Sequence, residues 1–368
     1  MNIKEIVGLK NLFEVFLEDY MRDDKCLVLY GAGSYCEWVL RLLSRHKIVP
    51  LYIIDKRLRG GVKCDIPIIS MEEAEELYKR TSFRVLIATP MHAQEVKVLL
   101  QKFISDEDIY SFECELYYSF IHDLDGYRKF LSDNEKALLV FYNELGDELS
   151  KNTMKNILRG RVSGELSYFR QCRQPDQYYA EGLFDSKMRG VFLDVGASVG
   201  DTLEALANRT NDSFELVYCF EPSQDAYAIL QEKAEKYGNR VRIVNKGAWD
   251  KKETLEFHED AEYGASKIVI GEKENTIEVL VDRLDDMVDL SDRVVHIKMD
   301  IEGAEKRALR GAVEIIRRDK PMLAICVYHK NDDLLEIPKL IKEIVPDYKF
   351  YLRHHNVAGT ETVLYAII

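Results

Sequence analysis

The run Val191-Phe-Leu-Asp194 is apolar, ends in a carboxylate and then meets two glycines, Gly196 and Gly200, before Leu203, Leu206 and Ala207 recur at helical spacing. A buried strand that stops at a glycine turn from which a helix starts constrains this chain more than any other feature. It requires an open α/β sheet whose ligand lies at the carboxyl ends of the strands. A second apolar strand, Leu216-Val-Tyr-Cys-Phe220, again ends in an acid, Glu221, at 221 − 196 = 25 residues from the first glycine. Acids at that distance grip ribose hydroxyls in nucleotide-binding half-folds. The Gly-x-x-x-Gly spacing differs from the Gly-x-Gly-x-x-Gly that seats a pyrophosphate, which Asp194 would repel; Asp194 suits an ammonium group such as that of a methionine moiety.

A similar unit precedes it. Residues 25 to 112 alternate strand and helix, with strands expected at Cys26–Tyr30, Leu51–Asp55, Arg84–Ala88 and Ile109–Ser111 and helices at 36 to 45, 71 to 80 and 93 to 103. The first turn is Gly31-Ala-Gly33-Ser-Tyr-Cys36, with Cys36 in place of a third glycine, and Asp55 closes the second strand at 55 − 33 = 22 residues from Gly33. Gly31, Gly33 and Asp55 are therefore candidates for a second nucleotide site; the competing reading is a docking or dimerisation module, which leaves room for a homo-oligomer. Nothing in the sequence supplies a hydride-transfer partner for an NAD(P)-dependent oxidoreductase.

Composition removes other classes. With 51 Lys and Arg against 64 Asp and Glu, the net charge of −13 argues against nucleic acid as a partner. The seven cysteines are scattered and never spaced Cys-x-x-Cys, which points to free thiols and a cytoplasmic setting. No apolar run is long enough for a membrane span. The first stretch, with Ile3, Ile6, Val7, Phe13, Phe16 and Leu17 interrupted by Lys4, Glu5, Lys10 and Glu14, reads as a helix packed on its own domain or on a partner subunit.

From Glu113 to about Met188 the strand pattern gives way to helical segments, with a capping box expected at Ser132-Asp-Asn-Glu135. This connector is expected to cover the cleft, with Gln177-Tyr178-Tyr179 leading into the last domain. Three segments result: 1–112, 113–188 and 189–368. Beyond 189, further strands are expected at Arg240–Val244, Val294–Lys298 and Met322–Val327, helices at 304 to 317 and 334 to 344, and a closing antiparallel hairpin of 349–353 with 362–367.

Several motifs occur in order: Asp194-Val-Gly-Ala with Gly200-Asp-Thr202, Phe220-Glu221-Pro222, Gly247-Ala-Trp249-Asp250, Leu284-Asp285-Asp286, Lys298-Met-Asp300-Ile-Glu302-Gly303-Ala-Glu305, Tyr328-His329-Lys330, and Leu352-Arg353-His354-His355 with Glu361-Thr-Val-Leu-Tyr365. Over roughly residues 175 to 368 this series resembles the FkbM-type methyltransferase family. The resemblance implies an α/β protein of two Rossmann-like domains joined by a helical connector, the C-terminal one a seven-stranded class I methyltransferase fold. It implies S-adenosyl-L-methionine (SAM) as cofactor and transfer of its methyl group to a hydroxyl of a sugar, glycan or small metabolite, without naming the acceptor. Cofactor contacts are expected from Tyr178, Asp194, Gly196, Ala197, Ser198, Gly200, Asp201, Thr202, Glu221, Pro222, Ser223, Gly247, Ala248, Trp249, Ser266 and Asp300. A noncatalytic nucleotide- or sugar-binding protein that keeps the SAM fold is the alternative.

A hydroxyl is a poor nucleophile while protonated, so its methylation calls for a general base or a metal. Asp300 and Glu302 follow one strand, His329 the next, and His354 and His355 the last turn. His329, with an ordinary pKa near neutrality, is the expected base, with Asp300 beside it and His354 in reserve. Glu302, Lys330 and His355 are expected to meet a small-molecule or saccharide acceptor. Glu305 reads as a carboxylate favouring a helix N-terminus. Two carboxylates and a histidine could hold a divalent ion, but nothing in the sequence fixes three ligands at one point, and no metal is expected.

Overall fold

The computed structural model describes residues 1–58, 60–89, 92–111, 124–260, 265–268 and 276–368, with 257–260, 265–268 and 276–277 as backbone only. Two compact units emerge, residues 2–129 with 157–168, and residues 130–156 with 169–368. Of the segment expected as a connector, 130–156 and 169–188 thus cluster with the C-terminal sheet and 157–168 with the N-terminal one.

In the first unit, β1 (Cys26–Tyr30), β2 (Tyr52–Ile54), β3 (Val62–Lys63), β4 (Ile66–Ile69), β5 (Phe83–Ile87) and β6 (Ile109–Ser111) form a sheet of order β3-β4-β2-β1-β5-β6. All neighbours are parallel except β3 and β4. The β3–β4 hairpin was not expected from the sequence. Its turn places Cys64 at φ 49° and Asp65 at φ 64°, a left-handed pair that Asn-Gly usually announces and Cys-Asp does not. Apolar side chains of the strands, Val28, Ile54, Val85 and Ile87 among them, make the core with Val96 and Leu100 of the following helix. The N-terminal stretch packs on its own unit, with Phe16 edge-on to Tyr110 at 5.2 Å and the Asn11 side chain donating to the Val162 carbonyl at 2.8 Å.

The second unit carries a seven-stranded sheet of β7 (Val191–Val195), β8 (Leu216–Phe220), β9 (Val241–Val244), β14 (Val294–Met299), β15 (Met322–Cys326), β16 (Lys349–His354) and β17 (Thr362–Ile367), in the order β16-β17-β15-β14-β7-β8-β9. Five strands are parallel; β17 runs antiparallel to both β15 and β16. This is the expected mixed sheet with its closing hairpin. β7, β14 and β15 are central, and their buried runs explain why they read as continuous apolar segments.

A second sheet, order β10-β13-β11-β12, lies between β9 and β14 in sequence: β10 (Gly247–Ala248), β11 (Glu253–Asp260), β12 (Ala265–Ile268) and β13 (Thr276–Asp282). It was not expected, because the charged residues of Glu253-Thr-Leu-Glu-Phe-His-Glu-Asp260 obscure the strand alternation. Two local expectations are corrected. The helix expected over 304–317 is two, Glu305–Arg310 and Val313–Asp319, because the Gly311 carbonyl turns away to accept the Asp285 amide at 2.9 Å. Ser132 starts no helix: it lies inside Leu124–Asp133, and Asn134 precedes the next one without a side-chain cap.

Candidate active site

The carboxyl edge of the seven-stranded sheet opens into a cleft of about 180 Å3. Ten residues singled out from the sequence line it: Gly196 and Ser198 after β7, Glu221, Pro222 and Ser223 after β8, Gly247, Ala248 and Trp249 along β10, and Asp300 and Glu302 after β14. Its apolar wall, from Val195, Phe220, Ala226, Val281, Ile301 and Ala304, escaped sequence reading because such residues look like any other core. The β7 turn depends on Gly196. At φ 81°, a Cβ there would lie 1.9 Å from the Asp300 carbonyl oxygen, so only glycine lets the β7 and β14 turns meet.

Glu221 is 7% exposed. One carboxylate oxygen accepts the Ser198 amide and the other the Ser223 amide, both at 2.8 Å. Burial pushes its pKa up against these two bonds. Each oxygen keeps a lone pair, and the residue lines the cleft, so it can accept hydroxyls from a ligand there.

Asp194 is corrected. It is buried, does not line the cleft, and pairs with Lys298 Nζ at 3.0 Å, so the ammonium it holds belongs to the protein itself. The two are register partners on adjacent parallel strands, which puts their side chains on one face. Burial alone would strip the proton from Lys298, but Asp194 and Asp300 hold its pKa above the usual range. The same ammonium donates to the Gly196 carbonyl and so ties the acid to the glycine turn. Ala197, Gly200, Asp201 and Thr202 also stay off the cleft. Ala197 is core, Gly200 and Asp201 begin the helix Asp201–Thr210, and the Thr202 carbonyl accepts the Tyr179 hydroxyl at 3.2 Å.

His329 does come together with acids. Its Nε2 lies 3.4 Å from Asp300 Oδ1 and 3.6 Å from Glu302 Oε2, and its Nδ1 lies 3.0 Å from Glu305 Oε1. Glu305 thus does more than favour a helix end: buried, it accepts the Ile301 amide at 3.0 Å and orients the imidazole. The premise of an ordinary histidine pKa also fails. Burial would lower it, but Glu305, Asp300 and Glu302 outweigh burial and raise it to about 9. The Asp300 carboxylate is held in place by the Tyr178 hydroxyl at 2.7 Å and the Tyr328 hydroxyl at 3.1 Å. Tyr178 therefore braces Asp300 instead of lining the cleft. Tyr328, next to His329 in sequence, accepts no role from the motif alone but pairs with Glu361 at 3.4 Å and so brings that distant acid to the cluster.

Asp300, Glu302 and His329 present ligand atoms within 4.8 Å of one another. Nothing in the sequence fixes these three at one point, because residues 302 and 329 are far apart along it; they meet because β14 and β15 are adjacent parallel strands and end side by side.

Residues 194–350 match the family model described as Methyltransferase FkbM domain. Over these residues the chain is similar to the FkbM methyltransferases. A solved structure, methyltransferase FkbM from Methylobacillus flagellatus KT, shares the fold over 98% of this chain and 94% of its own, at 23% identity and a TM-score of 0.76. Aeropyrum pernix fibrillarin in complex with natively bound S-adenosyl-L-methionine aligns over 50% of this chain and 68% of its own, at 12% identity and a TM-score of 0.33. Comparison with curated proteins found no match.

Other candidate residues are placed elsewhere. His354 is corrected: it is fully buried on β16, with Nδ1 2.9 Å from Thr362 Oγ1 and its ring tilted on Phe169 at 5.3 Å. His355 is likewise enclosed, with Nδ1 3.0 Å from the Gln174 carbonyl and Nε2 3.0 Å from the Tyr365 hydroxyl, so neither nitrogen is offered to an acceptor. Lys330 turns its ammonium onto the Gly303 carbonyl. Ser266 lies on β12, where its side chain is outside the described residues. In the first unit the Asp55 carboxylate takes the amides of Ala32 at 2.9 Å, Arg57 at 2.7 Å and Leu58 at 3.2 Å, bracing the turn that holds Gly31 and Gly33. Among the described residues no helix is long and apolar enough to cross a membrane.

Proposed function

We propose that the chain is a SAM-dependent O-methyltransferase acting on a hydroxyl of a sugar or small metabolite. The observation that carries this reading is one cleft lined by a buried carboxylate, Glu221, and by Asp300 and Glu302, which lie beside His329. The lining suits a SAM molecule: Glu221 would take its ribose hydroxyls, and Ala248 and Trp249, beside the apolar Val281, would flank its adenine. Bound there, SAM supplies an electrophilic methyl group on a sulfonium, which leaves as a neutral thioether.

The chain's own residues then place the acceptor. Asp300, fixed by Tyr178 and Tyr328, accepts a hydrogen bond from the acceptor hydroxyl, and Glu302 takes its proton as the new bond to oxygen forms. His329, charged at neutral pH, serves as counter-ion to both carboxylates, not as the base itself. Calorimetry of SAM and S-adenosylhomocysteine with the intact chain tests the reading. Binding of either, with a raised melting temperature, is the expected result; absence of binding by both would reject it.

A further inference from the structure

We propose that Asp300, Glu302 and His329 form a site for one divalent first-row cation at the rim of the cleft. The geometry is that of a ligand set. Donor atoms about 2.1 Å from such an ion, at right or tetrahedral angles, stand about 3.0 to 3.4 Å apart. The imidazole Nε2 lies 3.4 Å from one carboxylate oxygen and 3.6 Å from the other, so small rotations of two side chains close the shell.

A second observation points to a ligand independently of the acids. The His329 side chain is 7% exposed, and its Nε2, aimed between the two carboxylates, has no hydrogen-bond partner. An orphaned buried polar nitrogen is costly; a divalent cation at that point displaces the Nε2 proton to solvent, binds the freed lone pair and replaces the imidazolium as counter-ion to the two carboxylates. On the far side of the ring Glu305 sits 3.0 Å from Nδ1, itself buried and fixed by the Ile301 amide. A carboxylate behind a histidine is the arrangement that orients imidazole toward a metal. Asp300 is oriented in the same way by Tyr178 and Tyr328. One nitrogen and two carboxylate oxygens suit a divalent first-row ion, and the oxygen-rich set accepts Mn2+.

The role of the cation rests on the methyl-transfer reading; its presence does not. With the acceptor hydroxyl as a further ligand, the ion lowers that hydroxyl's pKa. The proton passes to the Glu302 oxygen that is off the metal, the oxygen bonds to the methyl carbon, and the carbon–sulfur bond breaks.

The test uses the intact chain without SAM or acceptor, titrated with Mn2+ and followed by electron paramagnetic resonance. One Mn2+ per chain is expected, with spin-echo modulation from a single nitrogen. His329→Gln removes that modulation, and Glu305→Gln weakens binding by about 10- to 100-fold. Glu221→Ala, which removes a cleft carboxylate outside the proposed ligand set, leaves Mn2+ binding unchanged. No uptake of Mn2+, or uptake without nitrogen modulation in the wild-type chain, overturns the proposal even where a variant fails to fold. SAM calorimetry on the same sample separates the two ideas: SAM bound without Mn2+ rejects only the cation site, and Mn2+ bound without SAM rejects only the methyl-transfer role.

Discussion

The two units solve the same local problem with the same device and diverge in what they build on it. In each, a strand ends at a glycine turn and the acid closing the next strand reaches back to a turn amide: Asp55 to Ala32 at 2.9 Å in the first, Glu221 to Ser198 at 2.8 Å in the second. In each, the first glycine has a positive φ and no room for a Cβ, which would meet the Thr89 methyl at 2.2 Å beside Gly31 and the Asp300 carbonyl at 1.9 Å beside Gly196. Asp55, however, accepts three amides, whereas Glu221 accepts two and faces a cleft. Among the described residues, sets of three converging His, Cys, Asp or Glu ligand atoms occur in the second unit and not in the first. A glycine turn with its acid is therefore a folding element before it is a binding element. Chemistry enters through the strands on the other side of the turn, β14 and β15.

The largest effect expected from this comparison is at the glycines. Gly196→Ala should destabilise the chain by about 2 to 5 kcal/mol, the sum of left-handed strain and overpacking, and abolish SAM binding by pushing Asp300 away. Gly31→Ala should cost a similar amount in thermal unfolding yet leave SAM affinity intact in the folded protein. Loss of SAM binding in Gly31→Ala would break the distinction between the units.

Next come the acids. Glu221→Ala should weaken SAM binding by about 1 to 3 kcal/mol, the worth of a hydrogen bond to a buried charge. Asp55→Ala should leave that affinity unchanged by calorimetry, because Asp55 serves only its own turn.

The smallest effect at neutral pH, where it vanishes, is a difference in acid sensitivity. His296 and His355, both in the second unit, are held by burial at about 4, below the usual 6.5, while His46 and His92 in the first are exposed. The unfolded chain therefore binds more protons than the folded one as pH falls from about 6.5 towards 4, and stability is lost across that window, by at most about 3 kcal/mol per histidine. His296 stacks with Tyr179 at 5.7 Å and Phe192 at 5.6 Å, so His296→Phe should keep the packing and flatten the fall in melting temperature. An unchanged pH profile would remove His296 from that loss.

The glycine turns, the strands that follow them and most of the cleft lining were legible because each is a local pattern with a fixed offset. What stayed hidden depends on register. Lys298 faces Asp194 only because β14 and β7 pair in that register, and Glu305 reaches His329 only because β14 and β15 end together. His354 was misplaced for a related reason. A strand alternates its faces, and this one turns His354 into the core against Phe169, a contact that no spacing along the chain announces.

The bonding around Tyr178 also bears on the order in which the molecule can be assembled. Its amide donates to the Tyr365 hydroxyl at 2.9 Å across 187 residues of sequence, and its own hydroxyl fixes Asp300. During synthesis the β7 and β8 turns and Glu221 can take shape well before residue 365 emerges, but the support behind Asp300 cannot. The bracing of Asp300 thus waits on the last strand of the sheet, a long-range contact whose loop-closure entropy the completed sheet must offset.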